Sequence, residues 1–269
     1  MGSDTYVFID IDGTLVNSEK VVPVSARDAC VRARANGIKL VLSTGRSLPE
    51  LLPSLVAIGF DGIVSASGGA VSWGSEQLFE SPIPPERTHE LFEYFRANGF
   101  EFLWQASRGV WGDPGLLEEL HQAVRPDVAG LPEGWRVFRD PEEEIDDVLK
   151  CLFKAPSPDR AQEFREAFDD RLTIVDGSLD AKHPSNGEIT AAGVSKGTAV
   201  RELRRHLGVP NARFIGIGDS ENDAEMLREA DYAIAMGNAT PLIKGLADME
   251  TDSVDEDGFA HAFERAGLI

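Results

Sequence analysis

Residues 6–14 read Tyr6-Val7-Phe8-Ile9-Asp10-Ile11-Asp12-Gly13-Thr14, and this stretch decides the fold. Four apolar residues in succession, without polar alternation, fit a strand buried on both faces of a parallel sheet. Asp10 follows at the carboxyl end of that strand, where open parallel sheets bind their ligands. Residues two apart in extended chain point the same way, so Asp10 and Asp12 can converge on one site. Gly13 then lets the chain turn sharply away.

Outward from this stretch the pattern repeats. A helix is predicted from about Ser25, as N-cap, to Asn36, with Gly37 as its stop. A second buried strand spans Ile38 to Ser43, a helix starts near Ser47, and a third strand covers about Gly62 to Ala66. This order predicts a doubly wound parallel sheet. From about Trp73 to Lys182 the character changes. Short strand candidates at 100–104, 148–153 and 172–175 mix with amphipathic helices near 85–98, 114–124 and 157–168. Residues 125–147 are rich in Pro, Gly and acid and read as surface loop. From Ser195 the first pattern returns: a helix to Leu207, a strand at 213–218, a helix at 225–230, a strand at 232–236 and a final helix near 259–266. The expected architecture is α/β. A Rossmann-like core (1–83 and 184–269) carries an inserted mixed α/β domain (84–183).

The chain's 269 residues suit two domains. Its 42% hydrophobic and 27% charged content is globular usage. No apolar run reaches the roughly 18–20 residues of a membrane span. The N-terminus carries no basic region before its apolar run, so a cytoplasmic protein, monomer or homodimer, is expected. Cys30 and Cys151 match no metal-ligand spacing and read as buried reduced thiols. A net charge of −20 argues against nucleic acid as a partner. It also means that any phosphorylated substrate needs local cations to overcome repulsion.

A second acidic cluster, Gly218-Asp219-Ser220-Glu221-Asn222-Asp223, again follows a buried strand directly. If Asp10, Asp12, Asp219 and Asp223 share one crevice, they repel strongly. Two unit charges 4 Å apart cost about 4 kcal/mol at an effective dielectric of 20. Such a set calls for a divalent cation, and oxygen-only ligands suit Mg²⁺. Ser43-Thr44-Gly45-Arg46, at a strand-to-helix turn, offers a hydroxyl and backbone N–H groups to an anion. Lys196, in Gly193-Val194-Ser195-Lys196-Gly197, stands where a helix begins. A cation there opposes the helix dipole, so an ammonium aimed at a phosphate suits the position better than a structural role.

Asp10-Ile11-Asp12-Gly13-Thr14, Ser43-Thr44-Gly45-Arg46, the lysine of 193–197 and 218–223, in that order, resemble the haloacid dehalogenase-like superfamily. The insert's length and place resemble its Cof-like phosphatase branch, with a large α/β cap. The resemblance covers nearly the whole chain. It implies a Mg²⁺-dependent hydrolase of small phosphorylated metabolites, with sugar phosphates foremost. Asp10 would be the nucleophile, and Asp12 the proton donor and acceptor. The Asp10 carboxylate, the Asp12 carbonyl and Asp219 would hold Mg²⁺, supported by Asp223. Thr44, Gly45, Lys196 and Asn222 would grip the phosphoryl group. Many relatives carry Asn-Gly-Ala after the third strand, where this chain has Ser67-Gly68-Gly69; that difference bears on the junction with the insert. Substrate contacts would come from Arg46, Lys182 and His183. Trp104 and Gln105 end a strand of the insert, and Trp104 reads better as core. Two rivals stand beside this reading: a phosphomannomutase-like enzyme that returns the phosphoryl group to a sugar, and a non-catalytic phosphate-binding or regulatory protein.

Overall fold

The computed structural model describes residues 4–124, 130–138, 146–176 and 185–269. The opening apolar run forms β1 (Thr5–Ile9), in which Val7, Phe8 and Ile9 are at most 1% exposed. It is followed by α1 (Val24–Ala35), β2 (Lys39–Ser43), the short α2 (Pro53–Val56), β3 (Gly62–Ser65), β4 (Ala70–Trp73) and β5 (Glu76–Glu80). The insert contributes α3 (Pro85–Asn98), β6 (Glu101–Ala106), β7 (Gly109–Gly112), α4 (Pro114–Val124), β8 (Trp135–Val137), β9 (Lys150–Lys154), α5 (Pro158–Phe168), β10 (Leu172–Asp176) and β11 (Asn186–Ala191). The chain ends with α6 (Lys196–Leu207), β12 (Arg213–Gly218), α7 (Ala224–Glu229), β13 (Tyr232–Ala235), α8 (Pro241–Leu246), β14 (Met249–Glu250) and α9 (Gly258–Arg265).

The contacts divide the chain into two compact units: 1–45, 52–79 and 195–269 form one, 46–51 and 80–194 the other. The first holds a sheet in the order β14-β13-β12-β1-β2-β3-β4-β5. Its members from β14 to β3 run parallel, and β4 returns antiparallel to β3. β1 lies between β12 and β2, so the ends of three neighbouring strands deliver Asp219, Asp10 and Ser43 to one edge of the sheet.

The second unit holds a sheet in the order β10-β11-β9-β6-β7-β8. Its pairs are antiparallel except β7 with β8. Period-two alternation gives this sheet two apolar faces. Phe102, Trp104 and Phe153 pack with Phe95 of α3 and with Phe164 and Phe168 of α5. Leu103, Val110 and Leu152 pack with Leu116, Leu117 and Leu120 of α4. Trp104 is therefore core, as its sequence context suggests.

Several elements differ from expectation. The helix expected from Ser47 is a 3₁₀ turn at Leu48–Glu50 followed by the four-residue α2, because Pro49 and Pro53 each remove an N–H that a longer helix needs. The N-cap of α1 is Pro23 rather than Ser25. The strands β4 and β5, for which the sequence pattern gave no expectation, extend the first sheet. Part of the expected loop 125–147 is β8.

Candidate functional site

Asp10 is 4% exposed, and its backbone N–H donates to Ile217 of β12 at 3.1 Å. Its Oδ1 accepts from Lys196 Nζ at 2.6 Å. The same ammonium donates to Asp223 Oδ1 at 2.7 Å and to Asn222 Oδ1 at 3.3 Å. Lys196 is fully buried because α6 starts there. Ser195 caps that helix, its Oγ accepting from Thr198 N at 3.1 Å while its own hydroxyl donates to Glu225. Burial by itself would lower the ammonium's pKa; the Asp10 and Asp223 carboxylates more than offset this and raise it.

Asp223 spends its second oxygen on the backbone, accepting from Asp219 N at 3.0 Å and Ser220 N at 3.2 Å. Among the described residues, that leaves two carboxylate oxygens, Asp10 Oδ2 and Asp219 Oδ1, buried with no hydrogen-bond partner. Oxygen atoms of Asp10, Asp219 and Asp223 lie within 4.8 Å of one another. Burial, reinforced by Asp223, lifts Asp10 well above the usual carboxylate range and Asp219 to about 7. Two orphaned carboxylate oxygens in a triad of two buried acids and the half-buried Asp219 are a donor set for a hard divalent cation, and they fit Mg²⁺.

Asp12 is not one of these three acids, but its charge helps to raise the Asp219 pKa. Its carboxylate meets Lys20 Nζ at 3.5 Å, with both side chains close to half exposed. Thr44 is buried and tied to the sheet, its N–H donating to Val64 at 2.9 Å and its carbonyl accepting from Ser67 N at 3.0 Å. Arg46 is buried and groups with the second compact unit. Lys182 and His183 lie outside the described residues.

Two residues were missed in the sequence. Asn238, just after β13, donates through Nδ2 to Gly13 O at 2.9 Å and to Asp219 Oδ2 at 3.2 Å. Its signal was its place after a third buried strand. Lys20, beside Asp12, carried no signal at all. Ser67-Gly68-Gly69 needs correction as well. It does not serve only the junction with the insert, for Ser67 binds the Thr44 carbonyl and Gly68 packs against Ser195, next to Lys196.

The sequence model of the haloacid dehalogenase-like hydrolases matches residues 7–263. Phosphatase YwpJ of Bacillus subtilis is 29% identical over 95% of this chain and 97% of its own length. The 5-amino-6-(5-phospho-D-ribitylamino)uracil phosphatase YcsE of the same organism is 29% identical over 95% and 93%. The chloroplastic endoribonuclease YBEY of Arabidopsis thaliana is 28% identical over 97% of this chain, which spans only 46% of that protein. Among solved structures, the subclass IIB sugar phosphatase BT4131 superposes with a TM-score of 0.83 at 25% identity, over 99% of this chain and 100% of that one. With the family's sequence model spanning nearly the whole chain, and its acids and lysine meeting at adjoining strand ends, the protein belongs to the haloacid dehalogenase-like hydrolases, in their Cof-like branch.

Proposed function

We propose that this chain is a Mg²⁺-dependent phosphatase of small phosphorylated metabolites, sugar phosphates foremost, working through an aspartyl-phosphate on Asp10. The observation that carries the reading is the buried set Asp10–Lys196–Asp223 with the half-buried Asp219 beside it. In it one ammonium saturates part of the acid, and two carboxylate oxygens are left over. Asp10 Oδ2 and Asp219 Oδ1, with the Asp12 carbonyl, would hold Mg²⁺. The ion, when bound, neutralises charge on the phosphoryl oxygens. Relatives bearing sugar-phosphatase and ribityl-phosphate-phosphatase names support the substrate class.

The chain's own groups divide the work. Lys196 fixes the Asp10 carboxylate for attack on phosphorus and offers its ammonium to the phosphoryl oxygens. As the ester P–O bond breaks, Asp12 gives its proton to the departing oxygen. A water molecule then attacks the phosphorus of the aspartyl ester. Asp12 takes a proton from that water, the P–O bond to Asp10 breaks, and inorganic phosphate leaves. Outside the triad and close to half exposed, the Asp12 carboxylate is suited to exchange protons with substrate and water. Thr44, Gly45 and Asn222 complete the grip on phosphate.

Asp10→Asn is expected to abolish release of inorganic phosphate from p-nitrophenyl phosphate and from hexose phosphates while leaving the melting temperature unchanged. EDTA should remove activity and Mg²⁺ restore it. Near-native turnover by Asp10→Asn would refute the nucleophile, and full activity in metal-free buffer would refute the ion.

A further inference from the structure

Lys20 takes φ +63°, in the left-handed region that favours glycine. A set of hydrogen bonds holds it there. Its N–H donates to the Asn17 carbonyl at 3.0 Å, and the Asn17 N–H donates to the Val21 carbonyl at 3.0 Å. Asn17 Oδ1 accepts from the N–H groups of Glu19 at 3.2 Å and Val21 at 3.1 Å. Ser18 donates through its N–H and its hydroxyl to Asp255 Oδ1, at 3.1 and 2.9 Å. On the other side the turn is joined to the loop that carries Asp12. There the Gly13 N–H donates to the Val16 carbonyl at 3.0 Å, and the Val16 N–H donates to the Ile11 carbonyl at 2.7 Å. Every residue of this set belongs to the first unit.

The bracing places one charge. Lys20 Nζ lies 3.5 Å from Asp12 Oδ1, with 48% of the lysine side chain exposed. A half-exposed pair of this kind adds little to stability, and a lysine in the left-handed region costs some. Glycine at position 20 would serve the turn better. Stability therefore does not account for the residue, whereas its place beside Asp12 does. Asp12 must come within about 3 Å of the departing oxygen to protonate it, so Lys20 Nζ stands within roughly 9 Å of that oxygen, whichever carboxylate oxygen delivers the proton. A charged group a few bonds along the alcohol can meet the ammonium there. Lys196 cannot serve such a group, being buried and engaged with Asp10, Asn222 and Asp223. A neutral alcohol gains little from a cation at this place. An anionic one is relieved of part of the repulsion that a net charge of −20 imposes.

We propose that Lys20 is a specificity-determining residue: it selects phosphate monoesters whose alcohol carries a second anion, a carboxylate or another phosphate, close to the ester oxygen. Among sugar phosphates these are phosphorylated sugar acids and bisphosphates. The inference rests on the place given to Asp12 above, beside the departing oxygen.

The test compares three esters of one size class. 3-Phosphoglycerate and glycerol 1,3-bisphosphate carry the second anion, and glycerol 3-phosphate carries a hydroxymethyl group in its place. The readout is kcat/KM of each anionic ester divided by that of glycerol 3-phosphate. Any effect of a substitution on Asp12 itself is shared by the esters and cancels in this ratio. The wild-type ratio should exceed one for at least one of the two anions, and the anion preferred identifies the source. Lys20→Arg should keep the preference. Lys20→Gln should lower it about fivefold, the upper end for an exposed ion pair. Lys20→Glu should bring it below one. Lys20→Gly suits the turn, so it should lose the preference while unfolding at no lower urea concentration than wild type. A wild-type ratio of one or less for both anions overturns the proposal. So does a preference that survives in Lys20→Gln or Lys20→Gly. Affinity gives a second readout that needs no turnover: the Kd values of the three esters, measured calorimetrically in Mg²⁺ on the Asp10→Asn chain with and without Lys20→Gln, should follow the same order. A wild-type chain that hydrolyses none of the esters, while the Kd values still depend on Lys20, refutes the phosphatase reading alone.

Discussion

Asp219 is held in place by two residues that bring no charge. Asn238 donates to its Oδ2, and Gly13 leaves room for it. Gly13 sits at φ +81°, and a Cβ there would lie 2.8 Å from Asp219 Cγ, well inside van der Waals contact. Gly13→Ala is therefore expected to cut turnover at least about tenfold by displacing the carboxylate, checked by steady-state kinetics. Asn238→Ala removes an outer hydrogen bond and should raise the Mg²⁺ concentration for half-maximal activity about tenfold, the low end of such losses. A normal Mg²⁺ titration in Asn238→Ala would show that the hydrogen bond is incidental. The acids and Lys196 were legible because each follows or opens an element with a clear pattern. Asn238 was not, since one asparagine in a loop has no periodicity and its partners, Asp219 and Gly13, lie 19 and 225 residues away.

The start of α6 depends on the link after β3 as much as on its own cap. Ala66, Ser67 and Gly68 all take positive φ, and a Cβ on Gly68 would stand 2.5 Å from the Ser195 carbonyl carbon. Gly68→Ala is expected to destabilise the fold by at least about 2 kcal/mol, measured by urea unfolding, through backbone strain and overpacking. Helices with strong signals, such as 85–98, were readable to the residue, because propensity, capping and apolar stripe agree there. The segment after Ser47 was not. Its prolines forbid a long helix, and its actual partners, Gln105 and Trp135, lie more than fifty residues away in sequence. β8 was hidden for a related reason. A three-residue strand in Pro- and Gly-rich surroundings earns its pairing from β7 rather than from its own composition.

The net charge of −20 acts on every substrate that carries a phosphate. Exposed acids are screened by salt, whereas the buried Lys196 and a bound ion are screened far less. At fixed free Mg²⁺, kcat/KM for a sugar phosphate should therefore rise as sodium chloride is raised from about 10 mM to about 100 mM, where the Debye length is roughly 10 Å. A fall would mean that exposed cations steer the substrate. Cys30 and Cys151 are both buried, and burial pushes the Cys30 thiol up to about 12. Neither is expected to react with a thiol reagent at pH 8 until urea unfolds the chain.

The split of the first unit has a temporal side. β1 pairs with β12, Thr5 against Arg213, so the middle of that sheet cannot close until more than two hundred residues have been made. The mostly antiparallel sheet of the second unit draws its strands from the contiguous stretch 101–191. Non-local pairing is slow to form, and local pairing comes first. On the ribosome the inserted sheet should thus gain amide protection while β1, whose other neighbour β2 is already made, still waits with its β12 edge open.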